Sequence, residues 1–232
     1  QYTNLFWLLM NTKKNQPITR FKHNYSLKDL TIHNVETRFQ GFFKIDCYQL
    51  SHKLFNGSQS DILSREIFER GDAVVLMPYD AKLDQVVLLE QFRPGAIREG
   101  ETPWLLEFVA GMFNRNENPE DVAIREAEEE AGLIIPSDDL INIMSYFSSP
   151  GGMSEKIHLY AACIDSSELN NDNAVYGLEG EGEDILVHIM PRSEAMALLS
   201  QGRINNAATI IALQWLALNY QSLQDQILNG DH

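Results

Sequence analysis

Residues 111–133, GMFNRNENPEDVAIREAEEEAGL, constrain this chain more than any other stretch. Asn118 followed by Pro119 marks a helix start: asparagine caps the free N–H groups of a first turn, and proline at the next position already holds φ near its helical value. Glu120 and Asp121 add negative charge at the positive end of the helix dipole. Gly132 comes where a left-handed residue finishes a helix. Between those ends Glu126, Glu129 and Glu130 stand at i, i+3 and i+4, which gathers three carboxylates on one stripe. Val122, Ala123, Ala127 and Ala131 form a second stripe, small and apolar, fit to lie close against a sheet.

On a solvated face such like charges cost little. Facing a cleft they cost much more: unit charges ~5 Å apart repel by roughly 3 kcal/mol at an effective dielectric of about 20. A bound cation removes that cost. Ligation by carboxylates alone selects a hard divalent ion, Mg2+ first with Mn2+ or Ca2+ behind it, whereas zinc wants His or Cys.

The 18 basic against 33 acidic side chains leave a net charge of −15, which excludes a broad nucleic-acid surface, since phosphates are neutralised by clustered Lys and Arg. An anionic substrate then has to be bridged by cations and a few placed arginines. The two cysteines, Cys47 and Cys163, are far apart in strand-like contexts, without CxxC or His spacing, and are expected as buried reduced thiols. The chain opens on Gln1 rather than Met, so its beginning is expected to lie inside a longer sequence or to follow the removal of a tag. Its LFWLLM run is too short to span a membrane and lacks a basic stretch before it, so neither a signal peptide nor an anchor is expected, and the location expected is cytoplasmic.

Residues 1–30 show no clear period. From 31 to 71, TIHNVETRF, GFFKIDCYQL and SREIFERG alternate apolar and polar residues, with Asn56-Gly57 as a turn, and predict a small antiparallel sheet. AVVLMPYD and QVVLLEQF predict a hairpin turning at Ala81–Asp84, buried on both faces; WLLEFVAG leads into the acidic helix. INIMSYFSS, KIHLYAACI and DILVHIM follow as strands, with an irregular acidic insert from Ser166 to Asp184. PRSEAMALLSQG predicts a short helix capped by Ser193 and stopped by Gly202. A last helix runs from Asn206 to Leu223, with Ile210, Ile211, Leu213, Leu216 and Leu218 around Trp215 as core. The expected division is 1–71, an N-terminal strand region, and 72–232, a mixed α/β layered domain.

The spacing Gly111, five residues, Glu117, seven residues, Arg125-Glu126, Ala127, Glu129-Glu130, Gly132, Leu133 resembles the box of the Nudix hydrolases at every fixed position, with Ala127 as a small member of the aliphatic site. That resemblance implies an α/β/α sandwich carrying the small N-terminal antiparallel β-sheet. It also implies cleavage of a nucleoside diphosphate linked to another moiety, with Mg2+ (or Mn2+) held by Glu126 and Glu130, Glu129 as auxiliary ligand and the Ala110 carbonyl completing the shell. Arg125 and Glu117 look like the pair that braces loop against helix, though Arg125 also stands i, i+4 from Glu129.

SREIFERG, LLEQFR, ETPWLLEFVAGM, SSPGGMSE and INNAATIIALQWL further resemble the bacterial ADP-ribose pyrophosphatases, with Pro150 near the proline that marks that group. The likeness, which runs from Gly41 to Tyr220, implies Glu181 in GLEGEGEDI as general base and Glu183 as a further metal ligand, with Glu179 as the other loop candidate. It implies Arg93 on a phosphate, Arg65 at the adenine or diphosphate end, Phe42 stacked on adenine, and Glu155 at the ribose or beside the base. It also implies a homodimer that exchanges its N-terminal sheets, and ADP-ribose as the substrate, with no nucleic acid and no membrane as partners. The alternatives are a sister enzyme acting on GDP-mannose or another ADP-sugar, and a silent module that only binds ADP-ribose.

Overall fold

The computed structural model describes residues 21–113, 116–169, 174–178, 180 and 182–229, so the LFWLLM run, Glu179 and Glu181 lie outside the described residues. The chain divides into two units. Among the described residues, one holds Asp72–Tyr146 and those from Ile157 on; the other holds those up to Gly71 together with Phe147–Lys156. The division expected at residue 71 therefore acquires a second component, the SSPGGMSE loop. The reason is local: Phe68 N–H donates to the Gly152 carbonyl (2.8 Å), and Ser154 N–H returns a bond to the Phe68 carbonyl (3.2 Å).

In this smaller unit β1 (Leu30–Gln40), β2 (Lys44–His52) and β3 (Leu63–Glu69) make an antiparallel sheet in the order β1-β2-β3. The alternation of the three segments is what such a sheet needs. β1 is one of the two edge strands, irregular between Ile32 and Asn34 and between Thr37 and Phe39. Every residue of it after Leu30 is exposed, including Ile32, Val35 and Phe39.

The larger unit is built on β4 (Asp72–Asp80) and β5 (Gln85–Phe92). The pair is a hairpin only at its tip, where Tyr79 faces Val86 and Asp80 faces Gln85. Below the tip the strands separate. β6 (Trp104–Glu107) pairs with β5 and β7 (Val109–Phe113) with β4, so the predicted single run WLLEFVAG divides at Phe108. Phe108 is buried, and its N–H donates to Thr209 Oγ1 (3.2 Å), which gives the amide between the two strands an acceptor.

β8 (Leu140–Phe147), β9 (Lys156–Cys163), β10 (Val175–Tyr176) and β11 (Ile185–Pro191) complete a sheet in the order β10-β11-β5-β4-β9-β8, with β4 and β9 parallel. α1 (Pro119–Ala131) covers one face: Val74, Leu76, Val87 and Leu89 pack with Val122, Ala123, Ala127 and Ala131. α2 (Arg192–Ser200) and α3 (Ala207–Asn229) cover the other, where Val75, Met77, Val86 and Leu88 meet Ala195, Ala212, Leu213 and Leu216. Burial on both faces explains why β4 and β5 are apolar without alternation. The unit is an α/β/α sandwich, as expected.

Some sequence expectations change. α2 starts at Arg192 with Pro191 as its cap residue and no side-chain cap bond, so Ser193 lies inside the first turn. Arg192 is drawn there by Asp84, which accepts its Nε–H and Nη2–H at 2.7 and 2.9 Å. α3 runs to Asn229, beyond Leu223, and Leu218 is 59% exposed on its outer side rather than in the core. The insert after Ser166 carries a short 3-10 turn, Ser166–Glu168, and β10. Cys47 is buried as expected, Cys163 only partly, and both are free. Among the described residues no helix is long and apolar enough to cross a membrane.

Candidate active site

Both ends of α1 form as its sequence requires. Asn118 Oδ1 accepts the Glu120 N–H (3.2 Å), and Pro119 opens the helix. At the other end Gly132 adopts φ 64°, its N–H reaching the Glu128 carbonyl while Leu133 N–H reaches that of Ala127, both at 3.0 Å. Ala123 and Ala127 are fully buried against the sheet, so the helix lies close and brings the adjoining carboxylates inward with it.

Glu130 is only 4% exposed and accepts the Ala110 N–H of β7 (2.9 Å). That N–H is turned away from β4, and in an antiparallel pair the carbonyl of the same residue turns the same way, toward the carboxylates. Gly111 follows. A Cβ there would collide with Cγ, Cδ and Oε1 of Glu126, so the absent side chain is the space that Glu126 occupies. Glu126 keeps 14% of its side chain exposed and Glu129 30%.

Charges converge around this pair. Arg125 bonds Glu126 (2.8 Å) and Glu129 (3.1 Å), joining two of the three glutamates through one guanidinium. Arg93, just after β5, bonds Glu107 on the neighbouring β6 (2.7 Å) and is near enough to Glu130 to favour its ionised form. Burial pushes the Glu130 carboxyl up to about 8; the Ala110 N–H and Arg93 work against that rise, and the charges of Glu126 and Glu183 add to it. Burial likewise raises Glu126, with Arg125 opposing and Glu129 and Glu183 adding. The structure thus brings Glu126, Glu129, Glu130, Arg125, Arg93 and Glu183 into one electrostatic neighbourhood.

This donor set fits a hard divalent cation. Burial and neighbouring acids raise the basicity of both carboxylates, Glu126 adding to Glu130, and the groups described around them are other carboxylates and guanidinium groups rather than soft ligands. Among the described residues no three acidic, imidazole or thiol groups already converge on a single point. Arg125 accounts for part of this, since it draws Glu126 and Glu129 to itself.

The other predicted site residues lie in the smaller unit. Phe42 is 88% exposed with its ring edge-on to Phe43, which removes the core reading of that side chain. Arg65 is an exposed residue of β3, its Nη1–H donating to the Ser64 carbonyl. Glu155 is buried, held by Arg70 (3.1 Å) and by the Ser148 hydroxyl (2.9 Å).

Two residues escaped sequence reasoning. Glu107 had a weak signal, a lone acid inside an apolar strand; Tyr176 had none. A groove of about 740 Å3 on the opposite sheet face, lined by Glu90, Trp104, His188, Glu194 and Arg203, buries none of its carboxylates.

Residues 69–213 match the NUDIX domain family. The chain is 45% identical over 212 residues to the ADP-ribose pyrophosphatase of Escherichia coli (strain K12), which covers 91% of this chain and 97% of that relative. It is 36% identical over 151 residues to the GDP-mannose pyrophosphatase of Pectobacterium atrosepticum, covering 65% of this chain and 75% of the relative. Among solved structures it resembles an ADP compounds hydrolase, with a TM-score of 0.58, 25% identity and coverage of 83% of this chain and 97% of that one.

Proposed function

The chain belongs to the NUDIX family of hydrolases, and from that membership we propose that it cleaves the diphosphate of ADP-ribose to AMP and ribose 5-phosphate with Mg2+. The observation that carries this reading is the buried Glu130 beside Arg93, with the partly buried Glu126 next to it, in a chain whose likeness to the ADP-ribose enzyme spans nearly its full length. The match to the GDP-mannose enzyme is shorter and weaker, and supports that substrate less.

Glu126, Glu130 and the Ala110 carbonyl would hold the cation, with Glu129 and Glu183 as further ligands. When bound, it neutralises diphosphate oxygens and acidifies water. Arg93 donates to a phosphate oxygen, a charge-assisted bond that strengthens as negative charge builds on the phosphorus. Glu181 takes a proton from the attacking water; one P–O bond forms and the bridging P–O bond breaks. We assign Phe42 to stacking on adenine, Arg65 to the adenine or diphosphate end, and Glu155 to the ribose side. Gly111 and Gly132 frame the helix, and Arg125 with Glu117 braces its loop.

A homodimer in the cytoplasm belongs to the same reading. Its support is β1, an edge strand exposed along its length with Ile32, Val35 and Phe39 uncovered, the kind of edge that a second copy protects.

The experiment compares ADP-ribose and GDP-mannose by phosphate NMR of the products, for the native chain and for Glu130→Gln. ADP-ribose is expected to be the faster substrate, and the variant, folded by circular dichroism, to lose about 100-fold or more in rate. Faster GDP-mannose turnover would replace the substrate; an unaffected variant would favour a silent ADP-ribose-binding module.

A further inference from the structure

Gly132 does more than end α1. A Cβ placed on it would stand 2.7 Å from the Tyr176 hydroxyl oxygen and 2.8 and 2.9 Å from two ring carbons, so the helix cap is also the seat of the Tyr176 ring. Tyr176 belongs to β10, a strand of two residues that pairs only at Val175↔Leu186 and Tyr176↔Ile185. So short a strand contributes little order by itself. Its ring against the end of α1 is the fastening on the helix side, while the Ala174 carbonyl, accepting the Val187 N–H at 2.9 Å, ties the segment to β11.

The chain then turns at Gly177, whose φ is 110° and whose missing Cβ would meet Glu183 Cβ at 2.8 Å and the Glu183 carbonyl oxygen at 2.9 Å. Direct bonds across this turn are long: Leu178 N–H to Glu183 Oε2 and Glu183 N–H to the Leu178 carbonyl are both 3.4 Å. They are weak holders. Glu183 is nonetheless close enough for its charge to be felt at Glu126 and Glu130. A route of contact thus leaves the end of the acidic helix at Gly132 and passes through Tyr176 and Gly177 to Glu183, whose charge acts back on the same helix.

We propose that Tyr176 is a positioning residue: its ring, seated on Gly132, fixes where Glu183 stands before the carboxylates of α1. This rests on the reading of Glu183 as a cation ligand given above. The ring makes the contact, so phenylalanine should serve and a small side chain should not. Glu183 would lose its stance without being altered itself, an effect of the size seen when groups that orient a ligand are removed.

The test uses the full chain with Tyr176→Ala, Tyr176→Phe and, should the alanine variant not fold, Tyr176→Leu. Free Mn2+ is titrated by electron paramagnetic resonance, and kcat and KM for ADP-ribose are measured separately. The expected result for Tyr176→Ala is about tenfold weaker Mn2+ binding and about tenfold lower kcat with KM nearly unchanged, Tyr176→Phe matching the native chain. Native Mn2+ affinity in a folded Tyr176→Ala or Tyr176→Leu protein overturns the proposal, as does a phenylalanine variant as impaired as the alanine one. A native chain that binds Mn2+ but leaves ADP-ribose intact sinks the substrate reading instead, and the Mn2+ titration still decides the role of Tyr176.

Discussion

Glu126 fits against β7 because Gly111 has no side chain there. Gly111→Ala puts a carbon into the volume of the Glu126 carboxylate stem, and one of the two must move. The expected outcome is a destabilisation of about 1–3 kcal/mol in urea unfolding, as overpacking usually costs, together with a larger loss of turnover than of stability. Retained activity would mean that Glu126 works equally well displaced. Glu107 is a quieter case. It is 15% exposed, its charge is answered by Arg93 at 2.7 Å, and it keeps that guanidinium on the side of the sheet where Glu130 lies. Glu107→Gln should lower kcat/KM for ADP-ribose by about tenfold, the scale of one charge-assisted hydrogen bond, with circular dichroism unchanged. An unchanged kcat/KM would show that Arg93 holds its place unaided. The glutamates of α1 were legible in the sequence because ligands on one helix repeat at helical spacing. Glu107 and Tyr176 were not, because their partners come from other elements and no local pattern writes that pairing.

At the level of elements, legibility followed how local each cause is. The start and stop of α1 are set by Asn118, Pro119 and Gly132 within the segment itself, and both formed where the sequence placed them. Asn118→Ala should cost about 1 kcal/mol in thermal or urea unfolding, because one N–H of the first turn loses its acceptor. Since the cap is exposed and its dipole contribution small, turnover at saturating substrate should change less than twofold by the same reasoning; a larger loss would tie the loop before α1 directly to the chemistry. Distant causes leave no local mark. Ser193 has the chemistry of a cap, yet the cap falls two residues earlier, at Pro191, because Asp84, 108 positions back along the chain, holds Arg192. WLLEFVAG looks like one strand, and it becomes two because β4 and β5 separate below their tip and each takes its own partner. Hydrophobicity says that a segment is buried; it does not say which strand it pairs with.

Across the larger unit, the bond between Asp84 and Arg192 joins the tip of the β4–β5 hairpin to both helices of one face. Tyr79 on β4 donates its hydroxyl to Asp84 (2.7 Å), Gln224 on α3 reaches the Tyr79 oxygen (3.3 Å), and the Arg192 guanidinium lies 3.6 Å from the centroid of the Tyr220 ring, also on α3. The Asp84 backbone has φ 54°, a conformation asparagine tolerates nearly as well, so Asp84→Asn removes the charge without straining the turn. Burial alone would raise the Asp84 carboxyl; Arg192 and then Tyr79 outweigh it and hold the group below its ordinary value of 3.8. A carboxyl lowered by folding stabilises the protein fully above its unfolded pKa, and the contribution fades as pH falls through the lowered folded value. Because the Asp84 side chain is 35% exposed, solvent screening keeps the expected loss in Asp84→Asn to about 1–2 kcal/mol at pH 7. That gap from the native chain should stay constant down to the ordinary carboxylate range and narrow below it, as native Asp84 takes up its own proton. Urea unfolding of both proteins at neutral pH and near the acid limit of folding measures the gap directly. If it persists undiminished in acid, the contribution of Asp84 lies in shape and hydrogen bonding rather than charge, and the fastening of hairpin to helices owes nothing to ionisation.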